Sequence, residues 1–169
     1  MARVQFRPLL LALVAVLALV GVTSTSASAP TSASGTLTYT SSTFNSVRVA
    51  GGNTIIDLSA RVSYTGTFNG TSTLHGSLIF HPNGSANFHD IETFTGTVNG
   101  VPGTVTFNLA GTGRPGRTAG SFVYQATQVI VSGTGDLANL HGVLTQVGTV
   151  PDTAAGPVGT YTGNIHFDD

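Results

Sequence analysis

Apolar side chains recur at every second position over long stretches of this chain, with small polar residues between them. Ile56, Leu58, Ala60, Val62 and Tyr64 alternate with Asp57, Ser59, Arg61 and Ser63. Val101, Gly103, Val105, Phe107 and Leu109 alternate against Thr104, Thr106 and Asn108. Phe122, Tyr124, Ala126 and Ile130 follow, then Val143, Thr145 and Val147, then Tyr161, Gly163, Ile165 and Phe167. Successive side chains of an extended chain point to opposite faces. A period of two with one apolar face therefore predicts half-buried strands of an antiparallel sheet. After the first 29 residues no convincing helical period is found.

Turn chemistry separates these runs. Tyr64-Thr65-Gly66-Thr67-Phe68-Asn69-Gly70 returns thirty positions later as Phe94-Thr95-Gly96-Thr97-Val98-Asn99-Gly100. Asn-Gly between alternating segments is a strong hairpin signal, because both residues tolerate a left-handed backbone. Asn69-Gly70 and Asn99-Gly100 are both expected to turn the chain. His81-Pro82-Asn83-Gly84 suits a type I turn closed by a glycine bulge. That register sets Leu78 opposite Phe88, Phe80 opposite Ala86 and Leu74 opposite Glu92. A two-residue loop at Asn99-Gly100 sets Phe94 opposite Val105, Glu92 opposite Phe107 and Asp90 opposite Leu109. Both hairpins then place Asp90 and Glu92 on the apolar face. Short strands at even spacing with such turns argue a barrel or a sandwich.

The beginning of the chain reads differently. Arg3 and Arg7 precede an uncharged apolar run from Leu9 to Val22, and Thr23 to Ala29 is small and polar. This is the order of a secretory signal peptide, and the run is short for a membrane span. Residues 1–29 are assigned to it, with Ala27-Ser28-Ala29 fitting the cleavage rule. Pro30 is a poor residue to follow a cut, so cleavage after Ala27 or Ala33 is an alternative. Residues 30–35 read as a flexible leader and residues 36–169 as a single β-barrel domain. The expected location is extracellular or in the cell envelope, with no integral membrane segment after cleavage.

Composition narrows the chemistry. There is no cysteine, which excludes disulfides, thiol catalysis and cysteine metal sites. Lysine is absent too, and outside the signal Arg48, Arg61, Arg114 and Arg117 face seven acids. No basic face is available for nucleic acid. About 140 of the 169 residues remain, enough for one core.

One further stretch carries a resemblance. Gly133-Thr134-Gly135-Asp136-Leu137-Ala138-Asn139-Leu140-His141-Gly142 suggests a short turn, with Asp136 as its cap, tucking Leu137 and Leu140 against the sheet end. Together with Glu92-Thr93-Phe94-Thr95-Gly96-Thr97, it resembles a family of small bacterial proteins of uncharacterised function with the allene oxide cyclase-like barrel. The Gly-Thr-Gly-x-Leu-x-x-Leu-x-Gly pattern is also similar to a stretch of dirigent proteins. The resemblance spans Gly51 to Phe167 and implies an all-β, antiparallel, eight-stranded barrel with a central cavity. It brings no catalytic residues with it.

Candidate chemistry rests on Asp90 and Glu92. Two residues apart on one strand, they present both carboxylates to one face. In an apolar interior, desolvation and mutual repulsion raise carboxyl pKa values, giving a general acid or a ligand anchor. The plain alternative is a solvated Asp90 and a Glu92 that satisfies backbone donors at the rim. Tyr64, Phe94, Phe107 and Tyr124 either line a pocket or fill it, since an eight-stranded barrel has room for side chains or for one small ligand. His75, His81 and His89 fall on the polar face and are too spread for one ion, so no metal and no cofactor is expected. Gly111 to Arg117 reads as a solvated loop rather than a phosphate loop.

The leading expectation is a secreted barrel that binds a small apolar molecule inside. Tyr64, Phe94, Phe107 and Tyr124 would make the contacts, with Asp90 and Glu92 as polar anchors. A solid structural barrel and a cofactor-free cyclase or isomerase using Glu92 are the alternatives, and a homo-oligomer is compatible with each.

Overall fold

The computed structural model describes residues 28–151 and 156–168. Most of the segment assigned to the signal peptide therefore lies outside the described residues. Eight strands follow one another: β1 (Thr31–Ala50), β2 (Asn53–Gly66), β3 (Phe68–Phe80), β4 (Ala86–Val98), β5 (Val101–Pro115), β6 (Phe122–Gly135), β7 (Leu140–Val150) and β8 (Val158–Phe167). Each runs antiparallel to its neighbour in sequence, and β8 pairs back onto β1 to close the ring. No helix among the described residues is long and apolar enough to cross a membrane.

Two turns set the middle of the ring as their chemistry dictates. Gly84 takes φ 82°, its N–H donates to His81 O at 2.9 Å, and β3 then pairs Leu78 with Phe88 and Leu74 with Glu92. Asn99 and Gly100 take φ 51° and 86°, the left-handed pair of a type I′ turn, and Glu92 meets Phe107. Asp90 and Glu92 consequently face inward, where both are buried.

Three expectations are corrected. Asn69-Gly70 lies within β3 and not at a turn; the chain reverses at Gly66-Thr67, and Tyr64 pairs with Gly70. A loop centred on Asn69-Gly70 would pair Tyr64 with outward residues. Burial of Tyr64 and Phe68 outweighs the local turn preference. In β7 the inward residues are Leu140, Leu144 and Gln146, whereas Val143 and Val147 are exposed. Valine suits either face of a sheet, and the inward glycines of β7, Gly142 and Gly148, hid the true alternation. Finally, Thr31–Ser34 are not a free leader. They pair with Ile165–Thr162, because β8 would otherwise end the sheet with an open edge.

The ring is solid at one end. Phe68, Phe94, Phe107 and Tyr161 interlock there, with Phe68–Phe94 centroids 5.5 Å apart and Phe68–Phe107 centroids 5.4 Å apart. Leu137 and Leu140 close this end from the β6–β7 connection. Gly135 turns at φ 63°, and the turn is held by backbone bonds such as Leu137 N to Thr134 O at 3.2 Å. The other end is bounded by the Gly51-Gly52 turn, the His81–Ser85 turn and the loop after β5, with Val150 and Pro157 beside them. There β1 continues beyond Thr38, its last residue paired with β8, while its pairing with β2, begun at Gly35, runs on to Ala50.

Candidate functional site

The second end is hollow. A cavity of about 630 Å³ opens there, walled by Leu58, Leu74, Leu78, Phe80, Phe88 and Phe122, with Ser42, Phe44, Val150 and Pro157 also along its lining. Glycines on neighbouring strands keep the rings against the wall. Phe88 lies over Gly111, Phe122 over Gly113, and Tyr124 over Gly148 and Gly159. A Cβ on Gly148 would stand 2.6 Å from the Tyr124 hydroxyl. With no Cβ in the way each ring packs directly onto the glycine backbone.

Two polar groups in this lining lack partners. Asp90 is 4 % exposed, and its Oδ1 has no hydrogen-bond partner among the described residues. The Tyr124 hydroxyl has none either. Gly76, the register partner of Asp90 on β3, leaves the space that this carboxyl fills. Burial raises the Asp90 pKa to about 6, against the lowering influence of His89 and His75. Burial likewise pushes Tyr124 up to about 12, with the Glu92 charge adding to it. A buried acceptor without a donor is costly, so such a pair marks a place where something else completes the hydrogen bonding.

Glu92 is placed differently. It does not line the cavity, although its register partner Leu74 does. Its carboxylate is engaged on both oxygens. Ser72 donates to Oε1, while Tyr64 Oη donates to Oε2 at 3.0 Å and Gln128 Nε2 donates to Oε2 at 3.2 Å. The Tyr64 hydroxyl in turn accepts from Gln128 and Gln146, each at 3.2 Å, and Gln146 donates to Gln128 Oε1 at 2.8 Å. Five side chains from β2, β3, β4, β6 and β7 thus form one buried polar layer. Burial drives the Glu92 pKa up to about 7, the Ser72 and Tyr64 bonds oppose this, and Asp90 adds to it.

The expected ligand contacts divide accordingly. Tyr124 lines the cavity, as does Asp90. Tyr64, Phe94 and Phe107 do not; they pack in the solid end, with Tyr64–Phe94 centroids 5.8 Å apart. Alternation places all of them inward but says nothing of depth along the axis. Tyr39 and Phe122 line the cavity without having been singled out, and Ser72, Gln128 and Gln146 complete the polar layer. Gln128 was findable, since it continues the inward series Tyr124, Ala126, Ile130. Gln146 was hidden by the misread face of β7.

Other candidates separate from the site. His75 and His89 are exposed, and His81 sits between Asn53 at 2.9 Å and Asn87 at 3.2 Å. Among the described residues no three histidines or carboxylates gather as metal ligands. Gly111–Pro115 continue β5 instead of forming a loop, because they pair with β6 on one side and, through Gly113, with β4 on the other. Arg114 and Arg117 are exposed.

Comparison with known proteins supports the fold and leaves the chemistry open. A family model described as "Protein of unknown function (DUF3224)" matches residues 33–155. The chain is similar to a solved structure of a DUF3224 protein of unknown function from Shewanella oneidensis MR-1. The two share 16 % identity and a TM-score of 0.60, over 83 % of this chain and 99 % of that one. No curated protein matches.

Proposed function

This chain belongs to the DUF3224 family, whose function is unknown, and we propose that it holds a small, largely apolar molecule in the hollow end of its ring. One observation carries the reading. A cavity of about 630 Å³ has apolar walls and two buried polar groups without partners among the described residues. That combination is what a small-molecule site requires: area for affinity and a few fixed polar atoms for orientation. Gly111, Gly113, Gly148 and Gly159 support it, because each keeps a ring out of the volume.

The arrangement favours binding over the cyclase or isomerase alternative. Glu92 has both oxygens occupied by protein donors and lies off the cavity, so it serves as the hub of a buried polar layer. A second reading, self-association, draws on the outside of the ring. Val129 and Val131 on β6 and Val143 and Val147 on β7 expose 37 to 53 % of their surface on one outer face. Sedimentation at rising concentration tests it.

Export completes the reading, on the order of charge, apolar run and small residues in the first 29 positions. The allene oxide cyclase-like form of the barrel is held on the Gly133–Gly142 stretch quoted above.

The binding reading is tested by titrating the protein with N-phenyl-naphthylamine, an uncharged dye that brightens in apolar surroundings. Saturable brightening is expected, and Leu78→Trp, which fills the cavity from β3, abolishes it. No brightening, or brightening indifferent to Leu78→Trp, refutes the reading.

A further inference from the structure

Resting on that reading, we infer that the molecule held is an apolar amine, its ammonium group set against Asp90. The described lining contains one carboxyl group, Asp90, and no arginine, lysine or histidine. Its Oδ1 is buried without a donor, and a carboxylate can only accept. The Tyr124 hydroxyl beside the same cavity is also unpaired among the described residues. An ammonium brings three donors and a positive charge, so it can donate to the Asp90 carboxylate and offset its buried charge.

Other chemistries fit less well. A carboxylate or phosphate would bring a second negative charge into an apolar space that has no cation to balance it. An alcohol can donate to the Asp90 carboxylate but brings no charge to offset it. The rings of Phe88, Phe122 and Tyr124 further suit a cation, whose charge is attracted to aromatic faces.

The protonation states agree at neutral pH. With a pKa of about 6, Asp90 is mostly ionised there, while an alkylamine is protonated. The groups around Asp90 are few. Gly76 on β3 and Leu109 on β5 are its uncharged register partners. His75 and His89 stand on the outer face of β3 and β4, Glu92 lies two positions along β4, and Tyr39 approaches from β1. Lowering the pH through about 6 therefore neutralises the anchor and weakens amine binding while leaving the apolar walls unchanged.

Displacement of bound N-phenyl-naphthylamine by decylamine, decanol and decanoate separates the inference from the reading beneath it. At about pH 7.5 decylamine is expected to displace the dye at least about tenfold more effectively than decanol, with decanoate the weakest. Asp90→Asn removes the preference for the amine and changes decanol by less than about threefold. In the unmodified protein the preference fades between about pH 7 and pH 5. Failure of the dye to bind overturns both the reading and the inference. Dye binding with equal displacement by the three compounds, or an amine preference that survives Asp90→Asn, overturns the inference alone. Should Asp90→Asn fail to fold, the pH series on the unmodified protein decides, and a preference unchanged at about pH 5 overturns it.

Discussion

Tyr64 donates its hydroxyl proton to Glu92 Oε2 at 3.0 Å, joining β2 to β4 across the inside of the ring. The same hydroxyl accepts from Gln128 and Gln146, so one oxygen ties four strands into a single layer. Above that layer the ring is hollow. Below it, aromatic rings fill the interior.

Removing that oxygen tests the layer. Tyr64→Phe keeps the ring packed against Phe94 but takes away one of the three donors to Glu92 and one acceptor from each of the two glutamine amides. The expected loss is about 1–3 kcal/mol, read from urea unfolding. Because the Tyr64 bond holds the Glu92 pKa down, its removal also pushes that carboxyl further up. A variant as stable as the parent would show that water replaces the hydroxyl freely.

Stability should fall as pH rises. The folded chain raises Glu92 from 4.5 to about 7 and Asp90 from 3.8 to about 6. Over those windows the folded state binds more protons than the unfolded state, so raising the pH favours unfolding. Thermal melting is expected to give a higher Tm at about pH 5 than at about pH 7.5, with Glu92→Gln flattening the difference. A Tm that climbs through the same interval contradicts the burial of these carboxyls.

The middle of the ring was legible from sequence because its turns are specified by chemistry. Pro82 fixes one backbone angle, Gly84 supplies the left-handed residue, and Asn99-Gly100 supplies the type I′ pair, so Asp90 and Glu92 could be placed inward by counting. The rest depends on neighbours across strands. The space that the Tyr124 ring occupies is left by Gly148 and Gly159, far away in sequence. Tyr64, Phe94, Phe107 and Tyr124 share an inward face, yet only the staggered depth of their strands separates packing from cavity. At Asn69-Gly70 a good local turn was overruled by the burial of its flanking aromatics.

The start of the folded domain is a further prediction. Ser28 donates its N–H and its hydroxyl to Phe167 O at 2.9 and 2.8 Å, and Phe167 N–H donates to Ser28 Oγ at 2.9 Å. Ala33, five residues on, is buried at 2 % exposure. Cleavage after Ala27 preserves this clasp, cleavage after Ala29 removes it, and cleavage after Ala33 removes it together with three β1–β8 pairs. N-terminal sequencing of the exported protein is expected to read Ser28 first. A protein beginning at Ser34 would contradict the role given to β1.

The central claim, a small molecule held in the hollow end, is met most directly by native mass spectrometry of the protein recovered from its own host's culture. The same sample is then measured denatured. The account predicts a discrete added mass in the native spectrum that disappears on denaturation and never accompanies Leu78→Trp. The mass of the polypeptide alone under both conditions would contradict it.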